Sequence, residues 1–257
     1  MVFRRRRNIA LLVVLGLVPV LIAIAVKLGG HPRHAGSIFG GITDNGLFAA
    51  LAAFLVISPL FLPLVVSVVA GDALAGEAST GTLRYLLVVP VGRLRLLAVK
   101  LAAIVAWALA CVVVVATTGV LAGLIFFPSG ELTLLSGRTI SYGDGLGRLV
   151  LVLLFVAGTS LTVGAIGLFV STMTEVPIAA MAATLTLTVA SEVADAVPQL
   201  ERIHGWLPSH YWLAWIDLLR DPVLTDKMTT GLWVTLGYVA FFASLAWARF
   251  SSKDVTS

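Results

Sequence analysis

Six apolar runs constrain this chain more than any motif does. They fall at about residues 8–27, 47–70, 94–126, 147–171, 177–197 and 231–249. Each is near or above the ~20 residues a helix needs to cross ~30 Å of hydrocarbon. At that depth only a helix or a closed barrel satisfies its own backbone groups, so the pattern predicts an all-α integral membrane protein with six transmembrane helices. Composition agrees: 59% of residues are hydrophobic and 12% charged, against roughly 25% charged in a soluble domain. With 257 residues and no soluble stretch longer than about thirty, the chain reads as one transmembrane domain, 1–257, with no nucleotide-binding domain.

The net charge of +4 raises the question of nucleic acid. The basic residues sit beside apolar runs, which suits anionic lipid headgroups and leaves no basic soluble module, so no nucleic acid is expected. An even number of spans returns both termini to one side. Arg4 to Arg7, Arg84, Arg93, Arg95, Lys100, Arg249 and Lys253 mark that side as cytoplasmic, since short inner loops are rich in Lys and Arg. The expected placement is a multi-pass protein of the cell membrane with both termini cytoplasmic. Four Arg followed by an apolar stretch and Ala23-Ile24-Ala25 imitate a secretory signal. That stretch exceeds the usual 7 to 15 residues of a signal core, and it is read as the first span. The single cysteine, Cys111, lies in an apolar run, allows no intrachain disulfide and reads as a packing residue.

Residues 71–100 form a polar, Gly-punctuated, basic segment between the second and third runs. In order they carry Asp72, Gly76-Glu77, Gly81-Thr82-Leu83, Leu86-Leu87, Pro90, Arg93 and Lys100. This order resembles the cytoplasmic segment after the second span of ABC type-2 permeases, the membrane subunits of ATP-driven exporters. The tail from Ala248-Arg249-Phe250 to Lys253-Asp254-Val255 is similar to the basic, Asp-containing end of the same family. The resemblance implies a cytoplasmic coupling helix between spans two and three, with Asp72, Glu77, Gly81, Thr82 and Arg84 touching an ABC ATPase. It further implies two copies of that ATPase, which carry the ATP and Mg, and a second permease copy or homologous permease. Members of the family commonly begin with a longer amphipathic helix than the few residues, Met1 to Arg7, that precede the first span here.

Residues 198–230 are too aromatic for an ordinary loop, with Trp206, Tyr211, Trp212 and Trp215 among several Leu and Ile. A short helix over 209–220, embedded in the outer interface, is the reading. Trp and Tyr favour that depth, and in the resembled family short re-entrant helices there cap the pathway. The rings of Trp212 and Trp215 are expected against the outer ends of the fifth and sixth spans as a gate. Glu192 and Asp195 share a helix face near the end of the fifth span and are candidates for the pathway. Asp217, Arg220 and Asp221 read as self-pairing.

Nothing on the chain reads as catalytic. No Gly-Lys pair occurs, so a phosphate-cradling loop is absent, and Leu135-Ser136-Gly137 stands without any other nucleotide motif. His31 with His34 and His204 with His210 invite a metal reading, but no Cys or carboxylate joins either pair at ligand spacing, so no metal is expected. The function implied by the resemblance is the permease of an ABC exporter. The alternatives are a multi-span membrane enzyme, such as a lipid-modifying transferase, or a membrane-complex assembly factor. The enzyme would need an acid, base or metal cluster at a membrane face.

Overall fold

A computed structural model describes residues 3, 5–29, 38–81 and 92–252. Six of its helices are long and apolar enough to cross a membrane: α1 (Arg6–Gly29), α4 (Phe61–Ser79), α5 (Arg93–Phe126), α6 (Tyr142–Met173), α7 (Pro177–Ala196) and α9 (Asp226–Ser252). Among the described residues there are also three shorter helices, α2 (Ile38–Asp44), α3 (Leu47–Ile57) and α8 (Glu201–His204). A two-stranded antiparallel hairpin joins α5 to α6, β1 (Leu132–Thr133) pairing with β2 (Thr139–Ile140).

The second run is not one span. It divides at Ser58–Leu60 into α3 and α4. Pro59 has no N–H for the carbonyl of Leu55 and its ring crowds the preceding turn, so the helix must stop there. Pro63 falls in the first turn of α4, where its missing donor is not needed. The spanning helix of this pair is α4, and it continues past residue 70 to Ser79. Residues 71–79, read from sequence as part of the inner segment, are therefore the last turns of a span. Thr82, Arg84 and the remainder of 82–91, where a coupling helix is expected, lie outside the described residues, as do His31 and His34.

Chain direction sorts the helix ends. The start of α1, the end of α4, the start of α5 and the end of α9 meet at one end, tied by Arg5 to Asp72, Lys100 to Glu77, and Arg93 donating to the carbonyls of Phe250 (2.9 Å) and Ser251 (2.5 Å). We call this the arginine end and the opposite one, which bears the β1–β2 turn, the hairpin end. At the hairpin end Lys27 donates to the carbonyl of Phe126 over 3.1 Å, closing α1 on α5.

The core lies along α3, α4, α5 and α6. Trp107 of α5 is fully buried and its indole N–H donates to the carbonyl of Val65 in α4 at 3.3 Å. Cys111 is buried beside it in the core, as a packing residue should be. Small residues allow close approach: Gly164 faces the Ile104 side chain and Gly167 faces Ala70, whereas Gly158 meets only an ordinary contact from Leu232. Four hydroxyls of α6 and α7 serve the backbone. Thr159, Ser160, Thr184 and Thr188 each bond a carbonyl one turn back, the packing role rather than a polar path. The turn from α6 to α7 places Pro177 at the first helical position.

Candidate functional site

At the arginine end the last two turns of α4 carry the acidic residues of the 71–100 segment. Asp72 Oδ2 accepts from Arg5 and, at 3.0 Å, from Arg7, so one carboxylate holds the start of α1. Gly76 makes this possible. A Cβ there would lie 2.4 Å from Asp72 Oδ1, so a larger residue would require the carboxylate to shift along the helix surface. One residue on, Glu77 pairs with Lys100 of α5. Both acids are largely enclosed, 12% and 23% exposed at the side chain, so neither presents a bare charge to water. A cleft of about 280 Å³ opens between them, lined by Arg5, Asn8, Asp72, Glu77, Lys100 and Ile104.

Helix α4 then stops in a defined way. Thr80 Oγ1 donates back to the carbonyl of Gly76 at 3.0 Å, and Gly81 takes φ +69 while its N–H bonds the carbonyl of Ala78. That left-handed residue after the last turn is the usual device for ending a helix. Thr80 and Gly81 thus close the spanning helix. The segment that resembles a coupling element begins immediately afterwards and re-enters a span at Gly92–Arg93.

At the hairpin end the aromatic segment is not one helix over 209–220. It makes two 3₁₀ turns, Pro208–Tyr211 and Ala214–Leu219. The first packs on the sixth span, where Gly231 leaves space for Tyr211. Of the two tryptophans, Trp212 is 5% exposed and Trp215 fully buried. Trp212 lies with Ser58, Leu62 and Pro63 at the break in the second run and with Thr159 and Ser160 of α6. Both rings add apolar area to the core. Trp206, 77% exposed, is the ring that remains on the surface.

Polar bonds hold this cap in place. Arg148 of α6 donates to the carbonyls of Leu218 (2.6 Å) and Arg220 (2.9 Å), and Leu135 N–H bonds the carbonyl of Leu219 at 3.0 Å. Arg220 pairs with Asp217 as its spacing suggests, while Asp221 turns to Arg138 at 2.5 Å. Ser136 accepts from the N–H of Asp221, which gives Leu135-Ser136-Gly137 a place in the β-turn and no link to nucleotide. Sequence reasoning missed Asn45. Fully buried, it donates to the carbonyls of Gly130 and Glu131 and accepts from the N–H of Leu47. Its only signal is a short polar residue just before an apolar run.

Glu192 and Asp195 lie one turn apart near the end of α7, both half-buried, and Asp195 also reaches the connection that follows. Its Oδ1 is 2.7 Å from His210 Nδ1 and 3.9 Å from His204 Nδ1. The carboxylate absent from the linear neighbourhood of the two histidines is supplied through space, because Pro198–Leu200 and α8 reverse the chain.

Comparison with known proteins adds one finding. Residues 3–191, more than half of the chain, match the profile of a family described as ABC-2 family transporter protein. A search of curated proteins gives no match.

Proposed function

The chain belongs to the ABC-2 family of transporter proteins, and on that premise we propose that it is the permease of an exporter whose ATP is hydrolysed by a separate ABC ATPase subunit. Family membership makes it a multi-pass transporter subunit that is not itself catalytic. The observation that supports the fuller reading is the placement of the 71–100 segment. It joins the second spanning helix to the third at the end that also gathers the first and last helices.

On this reading residues 82–91, with Thr82 and Arg84, meet the ATPase. Asp72 and Glu77 act one step behind, carrying a displacement of Gly81 into α1 through Arg5 and Arg7 and into α5 through Lys100. A second permease copy completes the pathway, with substrate between the halves or entering from the bilayer. The arginine end is cytoplasmic, since Arg5, Arg6, Arg7, Arg93, Arg95 and Lys100 crowd it.

Two measurements test the proposal. Co-expression with an ABC ATPase should yield a complex that moves substrate only with ATP, and a cysteine within 82–91 should cross-link to that ATPase. In a Cys111→Ala background, cysteines at positions 78 and 252 should stay unlabelled by an impermeant reagent in intact cells and react after the membrane is opened. Labelling of both from outside would reverse the orientation, and transport without an ATPase would remove the exporter reading.

A further inference from the structure

We propose that Asp195, His204 and His210 form a binding site for a divalent transition-metal ion of the zinc type, fastening the end of the fifth span to the connection that leads to the sixth. The three residues come from three elements. Asp195 closes α7, His204 ends α8, and His210 lies in the 3₁₀ turn Pro208–Tyr211. One ligand atom from each lies within 4.8 Å of the other two.

Hydrogen-bond chemistry at His204 points to a cation. Its Nε2 is 3.2 Å from the carbonyl oxygen of Val197, and a carbonyl only accepts, so Nε2 carries the hydrogen. In the neutral ring the bare lone pair of Nδ1 then faces Asp195 Oδ1 at 3.9 Å. Two acceptors oppose each other across that gap, and a cation between them turns repulsion into attraction. Donation of the remote ring N–H to a backbone carbonyl is also how metal-bound imidazoles are commonly held in orientation.

His210 completes the set. Its Nδ1 donates to the same Oδ1 at 2.7 Å, and an ion taking that nitrogen replaces the hydrogen, which the neutral ring carries instead on Nε2. The side chain is 39% exposed and has room to adjust. Adjustment is needed, because zinc–nitrogen bonds of about 2.0–2.1 Å require ligand atoms roughly 3.4 Å apart. His204 and Asp195, 16% and 25% exposed, are the fixed side of the site.

Two imidazoles and one carboxylate make a borderline donor set that suits zinc, nickel or copper over calcium or magnesium, which prefer oxygen ligands. Three protein ligands leave a fourth position to water. The scaffold is built without the ion: Ser191 and Ser209 share a hydrogen bond of 2.7 Å, and Tyr211 donates to the carbonyl of Gly205 at 3.2 Å. The site does not depend on the exporter reading.

The test uses the full chain, purified in detergent through a tag free of histidine, stripped with a chelator and titrated with Zn²⁺ against a chromophoric competitor near neutral pH. One ion per chain is expected, undisturbed by millimolar Mg²⁺ or Ca²⁺. His204→Gln and Asp195→Asn should each weaken binding at least tenfold while eluting as the parent does. His31→Ala with His34→Ala should leave it unchanged. X-ray absorption of the zinc-loaded parent should show two imidazole nitrogens, a readout that stands even where a variant fails to fold. No stoichiometric binding by the parent, equal affinity in His204→Gln, or a spectrum without imidazole would overturn the site.

Discussion

Leucine at Gly123 is expected to keep the chain from reaching its folded form, cutting the yield of monodisperse protein by tenfold or more. The reason is a seam of backbone against backbone between α3 and α5. A Cβ on Gly123 would lie 2.0 Å from the carbonyl oxygen of Gly46, and one on Gly46 would lie 2.3 Å from the carbonyl oxygen of Gly123. Four residues back, a Cβ on Gly119 would stand 2.6 Å from the Cα of Ala50. Gly46 and Ala50 thus oppose Gly119 and Gly123, small residues at helical spacing on both partners. In a bilayer such close approach replaces the hydrophobic drive that water supplies elsewhere. Overpacking a core with flexible side chains costs about 1–3 kcal/mol. The cost here lies at or above the top of that range, because main-chain atoms cannot rotate aside. Gly237, with nothing within 4 Å of its Cβ position, is the control. Size-exclusion profiles of Gly123→Leu and Gly237→Leu that match each other would dispose of the seam.

Reversing Glu77 to Lys is expected to abolish coupled transport, and adding Lys100→Glu to restore most of it. The reversal would press two ammonium groups together where both side chains are mostly enclosed, at 18% and 23% exposure. Exposed pairs contribute up to about 1 kcal/mol, and breaking fully buried ones costs about 3–5. This pair lies between, near 2 kcal/mol, enough to shift the end of α4 off α5 in most molecules. The double variant distinguishes two roles for Glu77. Where it acts through Lys100, ATP-dependent transport in vesicles returns with the swapped pair. Where it touches the ATPase directly, the swap leaves transport dead.

Length and apolarity made the six spans legible. The break in the second run was visible as Pro59, but a hydropathy reading averages across a single proline and joins α3 to α4. Asp72 and Glu77 could be located without their partners being seen. Arg7 is 65 positions from Asp72, and only the packing of α1 on the bundle supplies it. The aromatic density of 206–215 has two physical outcomes, headgroup depth or protein core, and composition does not separate them; Trp206 is exposed and Trp215 is buried in the core. The Asp195 cluster was hidden for a different reason. Its ligands meet through irregular turns, where no periodicity links position in sequence to position in space.

The division of the second run also decides what the bilayer meets. In α4 and α6 the most apolar stretches are 61% and 67% buried, against 17–33% in α1, α5, α7 and α9. Among the described residues the exposed apolar perimeter is carried mainly by those four helices, through side chains such as Leu21, Ile125, Ile178 and Trp233, with Val150, Leu151 and Leu154 of α6 adding to it, while α3 is apolar for the sake of protein neighbours. Any second copy of the chain must displace lipid from that same perimeter. Association on such a surface is an exchange of one solvent for another within two dimensions. It is set by the number of lipids per protein and by the match between helix length and bilayer thickness, and it falls as the membrane is diluted with lipid rather than with water.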